Sequence, residues 1–418
     1  MLDINKIISD PKLIAKKFAD RCFASVEESE KLLNEVIDLD VKRRDLINKS
    51  EKLQAEKNLH SKSKPSPEVI EQMKNLGEEI KLLTNQLNEV ELILKNKLTS
   101  LPNIPAEGVQ AGGPEKNKTA EVFGNKPEFD FTPKDHVELA TNLNLIDYTR
   151  GVKIAGTGFW MYTGLGAQLE WALLNYFIET HKNNGYTFVL PPYLLTEESA
   201  YTSGHLPKFR DDLFWTQDKL CLNATSEMML GNMFRDEILS EEKLPMKYYA
   251  YSTCFRREGG GYRTEERGMI RGHQFNKVEM FQFTKPEESE KAFKDMVNIA
   301  SGLVKGLGLH FRVTDLAAGD MSFAMARTSD IEVWIPSMGI YKEVSSASNA
   351  HDYQARRGNI RFKNQLTGKN EFVHTLNASG LATSRLLPAI LEQNQQANGT
   401  IKVPEVLQKY LNIDTIKV

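Results

Sequence analysis

The chain has 418 residues, of which 40% are hydrophobic and 26% charged, a composition typical of a folded globular protein. Its 53 Lys and Arg residues nearly balance 56 Asp and Glu residues, so the net charge of −3 excludes a uniformly basic surface but allows a local basic patch. Three widely spaced cysteines exclude a disulfide framework and a cysteine-based zinc site. Because the sequence shows neither a signal-peptide pattern nor an apolar stretch of about 18 residues, we expect a cytoplasmic protein of two or three domains.

The residues from Glu27 to Lys97 predict two long helices that pair along a narrow seam. In the second half, apolar residues alternate at spacings of four and three, which is the pattern of a coiled coil. These residues are Val69, Met73, Leu76, Ile80, Leu83, Leu87, Val90 and Leu94. The first half repeats the rhythm more weakly over 32–53, since Arg43 and Ser50 occupy seam positions.

Prolines separate the two helices. Pro65 and Pro67 prevent one continuous helix, and Ser66 is placed to cap the second helix with Pro67 as its first residue. The pattern therefore predicts an antiparallel hairpin about 45 Å long. Its basic residues include Lys42, Arg43, Arg44, Lys49, Lys52 and Lys57 on the first helix and Lys62 and Lys64 at the turn. Taken alone, these charges fit a solubilising surface as well as a binding surface.

The rest of the chain predicts one α+β domain with a mostly antiparallel sheet. A segment rich in Pro, Gly, Asn and Lys precedes it, and all four tryptophans follow that segment. The clearest helices are predicted at 165–180 and 286–307, and the clearest strands at 186–190, 277–283 and 331–335. The resulting division is a helical-hairpin domain at 1–105, a linker at 106–130 and the α+β domain at 131–418.

An arginine-rich hairpin is the first candidate binding element. A strand ending in Cys-Phe-Arg-Arg-Glu at 254–258 leads into three glycines, and a second strand leaves at 273–279. Arg263, Arg267 and Arg271 lie between the two strands. Guanidinium groups bind phosphate oxygens in pairs, so the hairpin suits a polyphosphate. A solvated, charged hairpin remains an alternative.

Carboxylates and a small-residue segment extend this candidate site. Glu227, Glu258, Glu279 and Glu343 all adjoin predicted strands, and such oxygens suit Mg²⁺ shared with substrate phosphates, although each could be an ordinary ion-pair partner. The run at 375–384 leads into a helix that begins near Arg385. The sequence has no P-loop, dinucleotide-binding or nucleophile-elbow motif. These features indicate a phosphate-using enzyme with an extended helical arm.

The order of these segments resembles that of the seryl-tRNA synthetases, a family of class II aminoacyl-tRNA synthetases, over nearly all of the chain. The motifs that carry the resemblance are the helical hairpin, Leu-Pro-Asn-Ile-Pro at 101–105, Ser-Gly-His-Leu-Pro-Lys-Phe at 203–209, Thr-Ser-Glu at 225–227, the strands at 254–258 and 273–279, Asp-Ile-Glu-Val-Trp at 330–334 and Thr-Leu-Asn at 375–377. The resemblance implies a class II catalytic domain, with an antiparallel sheet flanked by helices. It also implies a homodimer joined through the helix that ends near Gly185 and the strand that reaches 191–192.

The resemblance further implies activation of serine with ATP and transfer of serine to tRNA(Ser), and also to tRNA(Sec). Arg256, Arg385 and Glu343 would be catalytic. The implied ATP-binding residues are Arg256, Glu258, Arg267, Phe275, Glu343, Ser346 and Arg385. The implied serine-binding residues are Thr225, Glu227, Arg256, Glu279, Asn377 and Ser379. Glu343 and Ser346 would hold Mg²⁺. The implied tRNA-binding residues of the arm are Arg43, Arg44, Lys49, Lys52 and Lys57.

Several positions depart from the family pattern. Ala378 and Ser384 replace glycines near Arg385, two acids stand in the hairpin loop at 263–266, Asn-Ala-Thr at 223–225 replaces an apolar-Pro-Thr sequence, and the run from Ser345 lacks the family's cysteines. Added side chains near Arg385 could crowd ATP. Two alternatives therefore stay open: a specialised or inhibitor-resistant paralogue, and a catalytically silent tRNA-binding homologue.

Overall fold

A computed structural model describes residues 1–60, 67–258 and 268–417. The described chain divides into two compact units, Met1–Ile104 and Pro105–Val418. Among the described residues, no helix combines the length and the apolar character needed to cross a membrane.

The first unit is helical. Its helices are α1 (Ile4–Ser9), α2 (Pro11–Asp20), α3 (Val26–His60) and α4 (Pro67–Thr99). The helices α3 and α4 have 35 and 33 residues, so each is about 50 Å long. They are antiparallel, because Lys97 Nζ lies 2.6 Å from Glu35 Oε2 at one end, while Lys57 Nζ lies against Gly77 near the other.

The predicted seam is confirmed along both long helices. Every predicted seam position of α4 is at least partly buried, while most other positions of the helix are exposed. In α3 the interrupting residues Arg43 and Ser50 are also partly buried at their seam positions. The predicted first residue of the second helix, Pro67, begins α4, whereas Ser66, Lys62 and Lys64 lie outside the described residues.

The second unit is built on a sheet of eight strands, which contains most of the strand residues described. The strands of the unit are β1 (Lys118–Phe123), β2 (Ile146–Asp147), β3 (Met161–Tyr162), β4 (Thr187–Val189), β5 (Leu194–Leu195), β6 (Cys221–Leu222), β7 (Ile238–Ser240), β8 (Met246–Phe255), β9 (Gln274–Thr284), β10 (Phe311–Asp315), β11 (Arg327–Ile335), β12 (Ile340–His351), β13 (Arg361–Lys363), β14 (Asn370–Phe372), β15 (His374–Ala382), β16 (Ile401–Lys402) and β17 (Thr415–Ile416). The large sheet has the order β1-β10-β11-β12-β15-β9-β8-β4. Its described pairs are antiparallel except that of β4 with β8, which confirms the predicted sheet type.

Helices cover the sheet and bury a shared apolar core. The helices of this unit are α5 (His136–Asn142), α6 (Tyr148–Ala155), α7 (Gly164–Asn183), α8 (Glu197–Thr202), α9 (Glu227–Leu230), α10 (Ser289–Gly306), α11 (Tyr353–Arg357), α12 (Thr383–Gln393) and α13 (Glu405–Leu411). Apolar residues of α7, α10 and α12 pack with those of the central strands in one cluster. The predicted helices at 165–180 and 286–307 correspond to α7 and α10.

The structure differs from the sequence interpretation in the segment predicted as a linker at 106–130. The latter part of that segment forms β1, which pairs with β10 from Lys118 opposite Asp315 to Phe123 opposite Phe311. This strand lies at the edge of the sheet and its side chains are mostly exposed. Because an exposed edge strand needs no alternating apolar residues, its polar sequence resembled a linker.

Candidate active site

The hairpin of β8 and β9 positions the first basic group of the site. Arg256 directly follows β8, and its backbone N–H donates to the carbonyl oxygen of His273 at 2.9 Å. Its Nε donates to the carbonyl oxygen of Ala224 at 3.3 Å. The guanidinium carbon lies 5.2 Å from the ring centroid of Phe275 on β9. Backbone contacts thus fix the Arg256 side chain beside an aromatic ring.

A salt bridge lies at the base of the same hairpin. Arg271 Nε donates to Glu258 Oε2 at 2.6 Å, and the two side chains are only 27% and 16% exposed. Glu258 has a φ of +50°, where the backbone turns away from the strand. The predicted ATP residue Arg267, together with Arg263 and the two acids of the loop, lies outside the described residues.

Arg385 brings a third guanidinium from the first turn of α12. Its Nη1 donates to the carbonyl oxygen of Glu343 at 3.0 Å and lies 3.3 Å from Glu343 Oε2. Its Nε donates to the carbonyl oxygen of Ile270 at 3.1 Å. The cleft formed by these elements is called here the arginine cleft, and its lining includes Arg256, Glu258, Arg271, Phe275, Glu343 and Arg385.

Two carboxylates and one ammonium group form a neighbouring pocket, called here the carboxylate pocket, which consists of Thr225, Glu227, Lys277, Glu279 and Asn377. Lys277 Nζ lies 2.5 Å from Glu279 Oε2 and donates to Thr225 Oγ1 at 2.6 Å. Asn377 Nδ2 lies 3.1 Å from Glu279 Oε1 and 3.4 Å from Glu227 Oε2. The pocket therefore carries one more negative charge than positive charge when both carboxyl groups are ionised.

The Glu227 carboxylate is held by a buried glutamine. Gln354 Nε2 donates to Glu227 Oε1 at 2.7 Å, and Gln354 Oε1 accepts a hydrogen bond from Thr375. Burial, followed by the negative charge of Glu279, raises the pKa of Glu227 to about 7. Lys277 and Arg256 act in the opposite direction but do not cancel the cost of burial.

One cavity joins most of the predicted residues. It has a volume of about 430 Å³, and its lining includes Thr225, Glu227, Arg256, Glu279, Glu343, Ser346, Asn377 and Ser379. The predicted residues Glu258, Phe275 and Arg385 line the adjoining arginine cleft instead, which shares Arg256 and Glu343 with this cavity. Arg256 thus lies where the two spaces meet.

Sequence reasoning assigned no role to four other lining or supporting residues, Lys277, His205, Gln354 and Asp330. Lys277 could have been found, because Phe275, Lys277 and Glu279 alternate along β9 and so share one face of the sheet. Burial and the charges of Arg256 and Lys277 lower the pKa of His205 to about 3. Gln354 and Asp330 come from distant segments, and only the fold brings them near the site.

Comparison with known proteins identifies the family. The sequence matches the model of the tRNA synthetase class II core domain (G, H, P, S and T) at residues 209–394 and that of the seryl-tRNA synthetase N-terminal domain at residues 1–105. It is 51% identical to serine–tRNA ligase 2 of Clostridium acetobutylicum, with 100% of both chains covered. The chain belongs to the seryl-tRNA synthetase family.

Other seryl-tRNA synthetases agree in sequence and fold. The serine–tRNA ligase of an Exiguobacterium species is 44% identical over 98% of each chain. The seryl-tRNA synthetase of Pyrococcus horikoshii, solved in complex with ATP, has a TM-score of 0.92 and 31% identity, covering 100% of this chain and 99% of its own. The cytoplasmic serine–tRNA ligase of Naegleria fowleri, solved with AMP, has a TM-score of 0.88 and 29% identity at the same coverage.

The departures from the seryl-tRNA synthetase pattern fall in different environments. Ala378 is fully buried in the apolar core, so its methyl group does not enter the arginine cleft. Ser384 does line that cleft. Asn223 is fully buried and bonded to β8. The expectation that added side chains crowd the nucleotide therefore applies to Ser384 and not to Ala378.

The basic residues of this seryl-tRNA synthetase's arm are mostly paired within α3. Arg43 and Arg44 lie 2.8 Å and 2.7 Å from the carboxylate of Asp40. Lys49 lies 2.7 Å from Asp45. Lys52 is exposed, while Lys57 lies against α4. The structure thus places the predicted tRNA-binding cations along one helix but not in one cluster.

Proposed function

We propose that the chain is a serine–tRNA ligase that works in two steps. A serine carboxylate oxygen attacks the α-phosphorus of ATP, and pyrophosphate leaves as seryl-adenylate forms. The 3′-terminal hydroxyl of tRNA then attacks the seryl carbonyl carbon, and AMP leaves. The observation that carries this proposal is the position of Arg256, which adjoins both the carboxylate pocket and the arginine cleft.

ATP is assigned to the arginine cleft. Arg256 would contact the α-phosphate and Arg385 the γ-phosphate, while the adenine stacks on Phe275 near Glu258. Arg267 is proposed as an additional phosphate contact. The first step depends on holding two anions together and neutralising the charge that develops on the phosphoryl oxygens, for which fixed guanidinium groups are suited. A protein nucleophile is not required.

Serine is assigned to the carboxylate pocket. The excess negative charge of Glu227 and Glu279 attracts the serine ammonium group, and Thr225, Asn377 and Ser379 offer polar groups to the rest of the amino acid. A side chain without a hydroxyl group would leave buried polar groups unpaired, which is the strongest form of discrimination that such a pocket has. Threonine would be excluded by the size of the pocket.

Magnesium is proposed at Glu343 and Ser346. Asp330, whose Cα pairs with that of Ser346 across the β11–β12 hairpin, is largely buried, and its Oδ1 has no hydrogen-bond partner in the part of the chain that the structure describes. Burial and the Glu343 charge hold the pKa of Asp330 well above its usual range. This oxygen-rich setting fits a hard cation. When bound, Mg²⁺ would neutralise phosphate charge.

Within the described ranges, no set of three His, Cys, Asp or Glu side chains is arranged to bind a metal ion. A Mg²⁺ ion commonly takes one or two protein oxygens and completes its shell with substrate phosphates and water. Glu343 and Ser346 together fit that limited number of protein ligands.

We assign tRNA binding to residues 1–105, and catalysis and dimerisation to 131–418; within the predicted linker at 106–130, residues 118–123 form β1 and belong with the large sheet. Arg43, Arg44, Lys49, Lys52 and Lys57 would contact the tRNA backbone and its long arm by shape and charge. Backbone recognition of this kind would also accept tRNA(Sec). The Lys49–Asp45 salt bridge does not oppose this assignment, since exposed ion pairs contribute little and can exchange partners, whereas Arg43 and Arg44 share the buried carboxylate of Asp40.

A homodimer is proposed from an exposed apolar surface on the second unit. Trp171, Phe188, Leu190 and Leu194 are 53%, 40%, 70% and 48% exposed. Trp171 and Phe188 lie on α7 and β4, the elements to which the resemblance assigns the dimer contact, while Leu190 and Leu194 follow β4 in the chain. From its proposed function in translation, we also propose that the protein is cytoplasmic.

Serine-dependent exchange of pyrophosphate into ATP, followed by charging of purified tRNA(Ser), tests the proposed activity. Exchange with serine and formation of seryl-tRNA are expected. Exchange without charging would indicate an amino-acid-activating paralogue. No exchange with any amino acid would overturn the assignment as an enzyme.

A further inference from the structure

A buried asparagine holds the start of the carboxylate pocket. Asn223 is fully buried, and its Nδ2 donates to Ser252 Oγ at 3.1 Å and to the carbonyl oxygen of Thr253 at 3.0 Å. Its backbone N–H donates to Tyr193, and its carbonyl oxygen accepts from Phe255. Four hydrogen bonds therefore tie one residue to β8 and to neighbouring backbone.

Ser252 of β8 also bonds to the other end of the segment 223–226. The hydroxyl oxygens of Ser226 and Ser252 lie 2.7 Å apart, and both residues are fully buried. Although Ser226 occupies the N-cap position of α9, its hydroxyl does not cap that helix. Ser252 therefore links Asn223 with Ser226, the two residues that flank Ala224 and Thr225.

The two residues between these anchors face the cations of the site. The carbonyl oxygen of Ala224 accepts from Arg256 Nε at 3.3 Å. Thr225 Oγ1 accepts from Lys277 Nζ at 2.6 Å, and Glu227 lies two residues further along the chain. Movement of residues 223–226 would thus shift groups proposed to bind serine, whereas Phe275 and Arg385 are held by other elements.

The side-chain oxygen of Asn223 affects the stability of the fold as well as the hydrogen-bond network. Its Oδ1 is buried without a hydrogen-bond partner among the described residues, a situation that destabilises the folded state. The amide cannot be turned to avoid this cost, since Oδ1 would then face the carbonyl oxygen of Thr253. A leucine of similar shape would remove the unpaired atom, but it would also remove both hydrogen bonds that Nδ2 donates, so the two effects on stability oppose each other.

We propose that Asn223, acting through Ser252 and Ser226, is a positioning residue for serine recognition. It touches no reacting atom and acts by fixing Thr225 and Glu227 relative to Lys277 and Arg256. The proposal rests on the function proposed above, because it assigns serine to the carboxylate pocket.

The test compares serine-dependent pyrophosphate exchange by the full-length wild-type enzyme with that of Asn223→Leu and Ser252→Ala. Both variants should raise the KM for serine about tenfold, a change equivalent to 1.4 kcal/mol, while the KM for ATP stays within about twofold. The melting temperature of Asn223→Leu should change by only a few degrees, because the loss of two donated hydrogen bonds is partly offset by the loss of one unpaired buried atom. The double variant should be no worse than the more impaired single variant, since both break one linked network.

Asn394→Leu is the matched control, because the Asn394 amide also donates to a backbone carbonyl oxygen, that of Ile390, but does not line the site. Its KM for serine should equal that of the wild type. If wild-type enzyme exchanges but Asn223→Leu keeps its serine KM, or raises both KM values while losing stability, the positioning role is overturned. If wild-type enzyme shows no serine-dependent exchange, the proposed function itself fails, and the positioning role fails with it.

Discussion

At the scale of single residues, Glu227 combines burial with a nearby like charge, and its pKa of about 7 has a direct effect on function. Because the ionised carboxylate is the form that attracts an ammonium group, lowering the pH below 7 should weaken serine binding. We expect the KM for serine to rise about tenfold between pH 7.5 and pH 6, as measured by pyrophosphate exchange.

Two comparisons check this assignment to Glu227. Glu227→Gln should raise the serine KM at pH 7.5 and remove most of its dependence on pH. The KM for ATP serves as the internal control and should change little in either experiment. A serine KM that keeps the wild-type pH profile in Glu227→Gln would assign the titration to another group.

Glu170 of α7 is a second buried carboxylate, outside the proposed serine pocket. Its Oε1 accepts from Asn276 at 2.8 Å and from Thr383 at 2.5 Å, but burial still raises its pKa to about 7. The raised pKa means that the folded state loses stability as the pH rises from the unfolded value, near 4.5, through 7.

Glu170→Gln should therefore stabilise the protein at pH 8, by up to about 3 kcal/mol in the free energy of unfolding. The gain should disappear as the pH falls to about 4.5. Urea unfolding at both pH values measures the difference. A gain of equal size at both would show that the carboxylate charge is not its cause.

The site could be predicted from sequence where its residues follow a local period. Phe275, Lys277 and Glu279 share one face because side chains alternate along a strand. Gln354 offered no such signal, since its bond to Glu227 depends on α11 packing beside α9. The order of motifs in the sequence predicted which residues belong to the site. Their pKa values could not be predicted in this way, because they depend on contacts between segments distant in sequence.

At the scale of elements, α7 and β15 meet so closely that only glycine fits. A Cβ at Gly380 would lie 2.2 Å from His181 Nε2, and the carbonyl oxygen of Gly380 is 2.8 Å from that nitrogen. Gly380→Ala should lower the free energy of unfolding by about 1–3 kcal/mol, and serine activation should fall because Ser379 adjoins the clash.

Denaturant unfolding measures the cost, and a double-mutant cycle identifies its source. The Gly380→Ala substitution should cost less in a His181→Ala background, because the ring that clashes is absent. Equal costs in the two backgrounds would show that the close approach to His181 is not responsible.

The arm allows a prediction at the same scale. Lys49→Glu combined with Lys52→Glu should lower kcat/KM for tRNA about tenfold or more at low salt, because two charges proposed to contact tRNA phosphates are reversed. Serine-dependent pyrophosphate exchange should be unchanged. Glu51→Lys, at a neighbouring exposed position, is the matched control and should not reduce charging. Equal loss of exchange and charging would contradict the role of the arm.

The helical elements were the most predictable part of the fold. The four-three spacing of the seam predicts which face of α4 is turned inward, and the structure buries those residues at least partly. The strand β1 was not predictable in the same way, because an exposed edge strand carries no apolar alternation. Only the pairing with β10 shows that the sheet begins at Lys118, within the predicted linker.

At the scale of the whole molecule, the proposed homodimer depends on the apolar surface around Leu190. Leu190→Glu should shift the protein toward monomer in sedimentation experiments, because a charge would be buried in the contact. Leu366→Glu is the matched control, since Leu366 is 96% exposed and lies outside this surface. A dimer of wild-type stability in Leu190→Glu would place the contact elsewhere.

Because Glu227 and Glu279 share one buried pocket, serine binding should also release a proton to the solvent. Because the pKa of Glu227 is raised to about 7, some of the unoccupied pockets hold a proton on this carboxyl group near neutral pH. An arriving ammonium group favours the ionised carboxylate and expels that proton. Serine binding would therefore acidify its surroundings, and its apparent heat would depend on the ionisation enthalpy of the buffer.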